Sequence, residues 1–226
     1  MSKGLFVAIE GGDGSGKRTH SELLSEYAQQ QLKRKVLKIS FPRYGQASAY
    51  YAGKYLDGAY GSVDEVPADL ASLTYALDRL AAKDELQTFL EQPDALVIAD
   101  RYVASNLAHQ GTKFDSEGDR HAYYDRMMET EYETLKIPRP DINIVLIMPT
   151  EFAQSNVDKK DARSYTDKKR DIHEADSNHL EKAKSNYEEL CQLYPDEFKA
   201  IKCTDNTGNM RTIDDIQQEI RSTLRI

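Results

Sequence analysis

The chain has 226 residues, 39% of them hydrophobic and 30% charged, and a formal net charge of −8. So acidic a balance excludes a bare nucleic-acid binder or a binder of anionic membranes, both of which need a basic face, but leaves room for a local basic pocket. Two cysteines, Cys191 and Cys203, lie outside any CxxC pair, which excludes a disulfide framework and fits a reducing cytoplasm.

The first apolar run, Leu5–Ile9, is too short for a signal segment or a membrane span and reads as a strand. A helical pattern over Lys17–Lys33 follows, then a second run, Val36–Ser40. A long helical pattern covers Asp69–Leu90, with Leu70, Leu73, Leu77 and Leu80 at helical spacing; that stripe is expected to face the core. The third run is Ala95–Ala99, followed by a helix over Ala122–Leu135 and a fourth run, Ile142–Met148. A helix over Ile172–Tyr194, a fifth run, Phe198–Cys203, and a helix over Ile213–Leu224 complete the chain. The runs are short, β-branched and nearly continuous, as expected of strands buried on both faces of a parallel sheet. Strand and helix alternate, so the expected fold is α/β: a five-stranded parallel sheet with helices on both faces. Between the fourth strand and the long helix, residues 155–170 carry six basic and three acidic residues and almost nothing apolar. Such a run is either a solvated loop or a lid that brings cations onto phosphates.

Four groups of residues carry chemistry. The first is Gly11-Gly12-Asp13-Gly14-Ser15-Gly16-Lys17-Arg18-Thr19, placed after a strand and opening a helix. Glycines let backbone N–H groups turn inward around a phosphate, the helix N-terminus adds partial positive charge, and Lys17 reaches the terminal phosphates. The residue after the lysine is usually Ser or Thr for Mg²⁺; here it is Arg18, so either Thr19 substitutes or carboxylates elsewhere hold the metal through water. The second group is Asp100-Arg101 at the carboxyl end of the third strand, where an aspartate can hold hydrated Mg²⁺ and an arginine can grip a phosphate. The third is Phe41-Pro42-Arg43-Tyr44, whose aromatics either wall a nucleoside pocket or anchor a loop into the core. The fourth is Arg170-Asp171-Ile172-His173-Glu174, whose carboxylates also suit a first helical turn without any ligand. Tyr75 and Arg79, four apart on one helix face, are either a platform for a base or two surface residues.

These groups, with Tyr75-Ala76-Leu77-Asp78-Arg79 and Asp100-Arg101-Tyr102-Val103-Ala104-Ser105-Asn106, resemble the thymidylate kinase family over nearly the whole chain, and a branch of that family carries Gly-Lys-Arg-Thr in its phosphate loop. The resemblance implies a P-loop nucleoside-monophosphate kinase architecture: one domain over 1–226 with a short basic lid at about 155–170. It implies transfer of the γ-phosphate of ATP to dTMP, giving dTDP and ADP, with Mg²⁺, in a cytoplasmic homodimer that uses neither nucleic acid nor membrane. By this resemblance ATP lies on Gly11, Gly14, Ser15, Gly16, Lys17, Arg18 and Thr19. Asp13 takes the sugar's 3′-hydroxyl or helps hold the metal, Arg101 clamps the acceptor phosphate, and Asp100 stands near Mg²⁺. Tyr75 stacks on thymine, Arg79 donates to its O4, and Asn106 reads N3. Phe41 and Tyr44 wall the deoxyribose and phosphate, and Glu174 places the metal or lid. His109 stands where the family often has a tyrosine beside the sugar's 2′ position, and His173 where some members have a tyrosine over the nucleoside. Arg163 is the first candidate for a lid cation, with Lys159, Lys160, Lys168, Lys169 and Arg170 as rivals. Alternative readings are another nucleoside or nucleotide kinase, a P-loop nucleotide-binding homologue without activity, and a GTP-binding switch. The switch fits poorly, because the nearest guanine-reading string, Asp158-Lys159-Lys160-Asp161, begins with Asp and lies well past the strand end.

Overall fold

The computed structural model describes residues 4–158 and 177–226. Arg163, His173 and Glu174, and all but the first four residues of the 155–170 segment, lie outside the described residues.

The five expected strands are present as β1 (Leu5–Gly11), β2 (Lys35–Ser40), β3 (Ala95–Asp100), β4 (Ile142–Ile147) and β5 (Phe198–Lys202). All pairings are parallel and the spatial order is β2-β3-β1-β4-β5. Helices α1 (Lys17–Gln30), α2 (Tyr50–Leu56), α3 (Ala68–Ala81), α4 (Lys83–Leu90), α5 (Val103–Gly111), α6 (Glu117–Met128), α7 (Thr150–Asp158), α8 (Ser177–Leu193) and α9 (Ile213–Leu224) connect or flank them.

Strand side chains alternate between two cores, as the period of two requires. Phe6, Ala8, Val97 and Ala99 pack against Leu86 and Leu90 of α4, Leu107 of α5 and Tyr187 of α8. Val7, Ile9, Leu96 and Ile98 face the other way, onto Leu24 and Ala28 of α1 and Ile216 and Ile220 of α9. Helices therefore cover both faces. Burial on both faces holds for the central strands β1, β3 and β4, whereas the edge strands β2 and β5 alternate with exposed positions. With β3 and β4 on either side of β1, and right-handed crossovers, the chain leaves β1 and β3 toward opposite faces, which opens a crevice beyond their carboxyl ends.

The leucine stripe departs from expectation. Leu70, Leu73 and Leu77 are 59%, 41% and 49% exposed, and Leu80 alone of the four is tucked against the core. The inward face of α3 is instead Ala68, Ala71, Ser72, Ala76, Asp78 and Arg79. Small residues let α3 approach its neighbours closely, and the polar ones reach buried partners: Ser72 bonds the Tyr123 hydroxyl at 2.7 Å and Arg79 bonds Glu131. Helical periodicity locates a stripe but does not say which side of the helix the tertiary structure covers. The expected helix over Asp69–Leu90 is two helices that share a turn at Ala82, whose N–H bonds back to Arg79 and Leu80. The expected helix over Ala122–Leu135 starts earlier, at Glu117, where the Ser116 side chain caps the Asp119 N–H, and ends in a wider π-helical turn, Glu129–Thr134. Periodicity missed α2, α5 and α7, the first two because polar and small residues fill faces that pack tightly.

Candidate active site

The loop between β1 and α1 is shaped by its glycines. Gly14 has a φ of +79°, and a Cβ there would lie 2.1 Å from the Ala153 carbonyl oxygen of α7, so only glycine fits. Gly16 sits left-handed at the start of α1 with no side-chain cap, which leaves the first-turn N–H groups directed at the loop, the arrangement that binds a phosphate. Lys17 is buried and its ammonium donates to the Gly12 carbonyl at 2.7 Å, spanning the loop. Ser15 is buried, and its hydroxyl has no hydrogen-bond partner among the described residues. Arg18 and Thr19 are not brought to the loop's interior: both are exposed, and Arg18 pairs with Glu22 one turn along α1.

The second half of the site comes from β3. Its last residue, Asp100, lies beside Ile9 of β1, so Arg101 emerges next to the phosphate loop. Arg101 adopts a left-handed backbone with φ 68°, and its N–H donates to the Ile9 carbonyl. Its side chain forms an ion pair with Asp13 at 2.5 Å and donates to Ser105 at 3.1 Å. Glu10 holds this turn from below: fully buried, it accepts from the Tyr102 N–H at 2.6 Å and the Ser105 hydroxyl at 2.7 Å. Burial raises the Glu10 pKa, while the Ser105 hydrogen bond and the Arg101 charge oppose that shift. Asp100 adds negative charge close to Arg18 and Arg101.

A third cluster lies between α3, α5 and the turn after α6. Arg79 is paired with Glu131 through Nε and Nη2, and Asn106 donates to the same carboxylate at 3.1 Å and to the Ser72 carbonyl. Arg79 and Asn106 are thus brought together, but through Glu131. Tyr75 meets Tyr55 edge-to-face, and the Arg79 guanidinium lies over the Tyr102 ring. Arg79 is therefore a buried residue and not a surface one.

Phe41 and Tyr44 part company. Phe41 is 3% exposed and packs edge-on to Tyr102, whereas Tyr44 packs with Tyr75 beside Tyr55 and Ala71. Arg43 between them is gripped by Asp78, which accepts from its Nε at 3.0 Å and its N–H at 2.6 Å. His109 reaches the site from α5, its ring 3.4 Å from Arg101 Nη1. From α7, Asn156 donates to the Gly14 carbonyl, so the segment expected to begin a lid starts as helix against the phosphate loop. Glu10, Asp78, Glu131, His179 and Tyr187 escaped the sequence reading. None lies in the recognised strings save Glu10 and Asp78, which those strings contain without a stated role, and their importance rests on contacts across 35 or more positions.

A family model described as "Thymidylate kinase" matches residues 9–213, which include all three clusters. The chain belongs to the thymidylate kinase family. The thymidylate kinase of Mycobacterium tuberculosis is 38% identical over 152 residues, 66% of this chain and 68% of that one. A relative in Aeropyrum pernix that carries the family name is 31% identical over 220 residues, covering 95% of this chain and 93% of its own. In three dimensions the thymidylate kinase of Candida albicans superposes with a TM-score of 0.72 at 20% identity, over 100% of this chain and 94% of the other, which supports the P-loop nucleoside-monophosphate kinase fold. As a member of the thymidylate kinase family the chain is an ATP-dependent phosphotransferase acting on dTMP. No helix among the described residues is long and apolar enough to cross a membrane.

Proposed function

We propose that the γ-phosphate of ATP passes directly, in line, to the phosphate of dTMP across the gap between the phosphate loop and Arg101. The observation that carries this reading is the Asp13–Arg101 pair at 2.5 Å, which joins the ends of β1 and β3 beside Lys17. The N–H groups of Gly11, Gly14, Ser15 and Gly16 and the Lys17 ammonium would hold the ATP phosphates, and Arg101 the acceptor phosphate. That phosphate is already anionic, so the transfer needs charge stabilisation and alignment rather than a strong base. Arg79 and Asn106, held by Glu131, are the groups proposed to read thymine, with Tyr75, Phe41 and Tyr44 around the nucleoside and Asp13 and His109 near the sugar. Lid residues Arg163, His173 and Glu174 complete the assignment.

Mg²⁺ fits the groups present. Asp13 and Asp100 are hard oxygen donors at the two strand ends, and the buried Ser15 hydroxyl lacks a partner among the described residues. Asp13 and Asp100, with Glu174, would hold the ion, which when bound neutralises phosphate charge. The exposed Leu70, Leu73 and Leu77 support a homodimer joined through α3, since three leucines on one solvent-facing stripe are costly in a monomer. A cytoplasmic location fits the two unpaired thiols.

The test is a coupled ADP-release assay with ATP and Mg²⁺ against dTMP, dUMP, dCMP, dGMP, AMP, UMP and thymidine. A strong preference for dTMP is expected. Comparable turnover of another acceptor would overturn the base-pocket assignment while leaving the phosphate loop in place.

A further inference from the structure

His109 of α5 and His179 of α8 are both buried, at 7% and 4% exposure, with ring planes inclined at 29° and centroids 5.4 Å apart. His109 Nδ1 lies 3.2 Å from His179 Nε2. His179 Nδ1 lies 3.1 Å from the Thr112 hydroxyl, which donates to the His109 carbonyl at 2.8 Å. At the other end, His109 Nε2 lies 3.4 Å from Arg101 Nη1.

One arrangement of protons satisfies all of these contacts. A guanidinium only donates, so His109 Nε2 must accept. A neutral imidazole then carries its proton on Nδ1, which donates to His179 Nε2. That nitrogen accepts, so the His179 proton sits on Nδ1 and donates to Thr112, whose own proton goes to the His109 carbonyl. Reversing either histidine link sets two N–H groups against each other, between the two rings or at the Arg101 end. Burial and then the Arg101 charge hold the His109 pKa well below its ordinary value, so the ring stays neutral as the chain requires.

We propose that His179 is a positioning residue for Arg101: through His109 it keeps a proton-free nitrogen facing the guanidinium and so holds Arg101 in register with Asp13. The donors run in one direction, from the charged group between the substrates' sites through two imidazoles to Thr112. It makes α8, in which His179 is the third residue, a structural determinant of the acceptor-phosphate site on α5 and β3. The proposal rests on the reading that Arg101 receives the acceptor phosphate.

The experiment uses the full chain labelled with ¹⁵N-histidine. Long-range ¹H–¹⁵N spectra report the tautomer of each ring, assigned by replacing one histidine at a time. His109 and His179 are both expected as neutral Nδ1–H tautomers; an Nε2–H tautomer at His109 in the wild-type protein would overturn the proposal. In His179→Leu, the His109 tautomer is expected to become mixed, with the KM for dTMP rising about tenfold, the equivalent of about 1.4 kcal/mol. The KM for ATP is expected to change less than about twofold, because the chain of contacts described above ends on Arg101. His179→Gln, whose amide oxygen can accept from His109 Nδ1, should recover most of the loss. An unchanged KM for dTMP in His179→Leu, with the His109 tautomer disturbed, would also overturn it. Should His179→Leu not fold, Thr112→Val removes the acceptor of the His179 proton and is expected to move the same two readouts. Arg101→Lys separates the two readings. If its KM for dTMP is unchanged while both tautomers are as expected, the assignment of Arg101 has failed, and the positioning role falls with it for that reason.

Discussion

The guanidinium of Arg79 meets the carboxylate of Glu131 in a two-bond fork, with 2.6 Å from Nε to Oε2 and 2.5 Å from Nη2 to Oε1, at 2% and 0% side-chain exposure. Asn106 donates to the same carboxylate, so one buried anion organises the two side chains assigned to the base. Removing one charge of such a pair strands the other in a medium that solvates it poorly.

Glu131→Ala is therefore expected to lower stability by about 3–5 kcal/mol, read from urea unfolding. The double variant Arg79→Met with Glu131→Leu should recover much of that loss, because apolar groups of similar volume can replace a buried ion pair. It should not recover dTMP affinity. A double variant that binds dTMP normally would refute the base-reading role of Arg79.

Lys17 spans the phosphate loop from a buried position. Lys17→Ala should lower kcat by about 10²–10³ or more, as loss of a preorganised charge at a developing anion does. The circular dichroism melt should change little. Near-normal turnover would remove the phosphate-loop assignment.

His20, one turn into α1, accepts from Gln217 at its Nδ1 and is buried, and burial lowers its pKa to about 4 from 6.5. The folded value is the depressed one, so the unfolded chain binds the proton more readily in that interval. Stability from this group is complete above pH 6.5 and lost as pH falls toward 4, with a slope of up to about 1.4 kcal/mol per pH unit. Denaturant unfolding between those limits should show the slope in the wild type and a flatter profile in His20→Gln. Equal slopes would show that His20 is not held neutral.

Leu73 lies mid-stripe on the exposed face of α3. If that stripe joins two copies, Leu73→Glu should weaken self-association by at least about tenfold, since burying one leucine is worth about 1.5–3 kcal/mol. Sedimentation equilibrium would measure it. A wild type that sediments as a monomer at micromolar concentration would refute the homodimer.

The strand order along the chain, the phosphate loop and the arrival of Asp100-Arg101 at a strand's end were all legible in the sequence. Each depends on neighbours within a few positions: a β-branched run, a glycine spacing, a helix start whose first N–H groups face the loop. Family resemblance added the names of Tyr75, Arg79 and Asn106 but not their surroundings. Only the tertiary structure turned the leucines of α3 outward and Arg79 inward, because a periodic stripe has no sign until another element covers one side. Only it joined Asp13 to Arg101 across 88 positions, Arg79 to Glu131 across 52, and His109 to His179 across 70. The physical reason is the same in each case. Local sequence sets backbone propensity and loop shape, whereas the fate of a charge or an imidazole depends on what reaches it when distant segments are packed together and water is excluded.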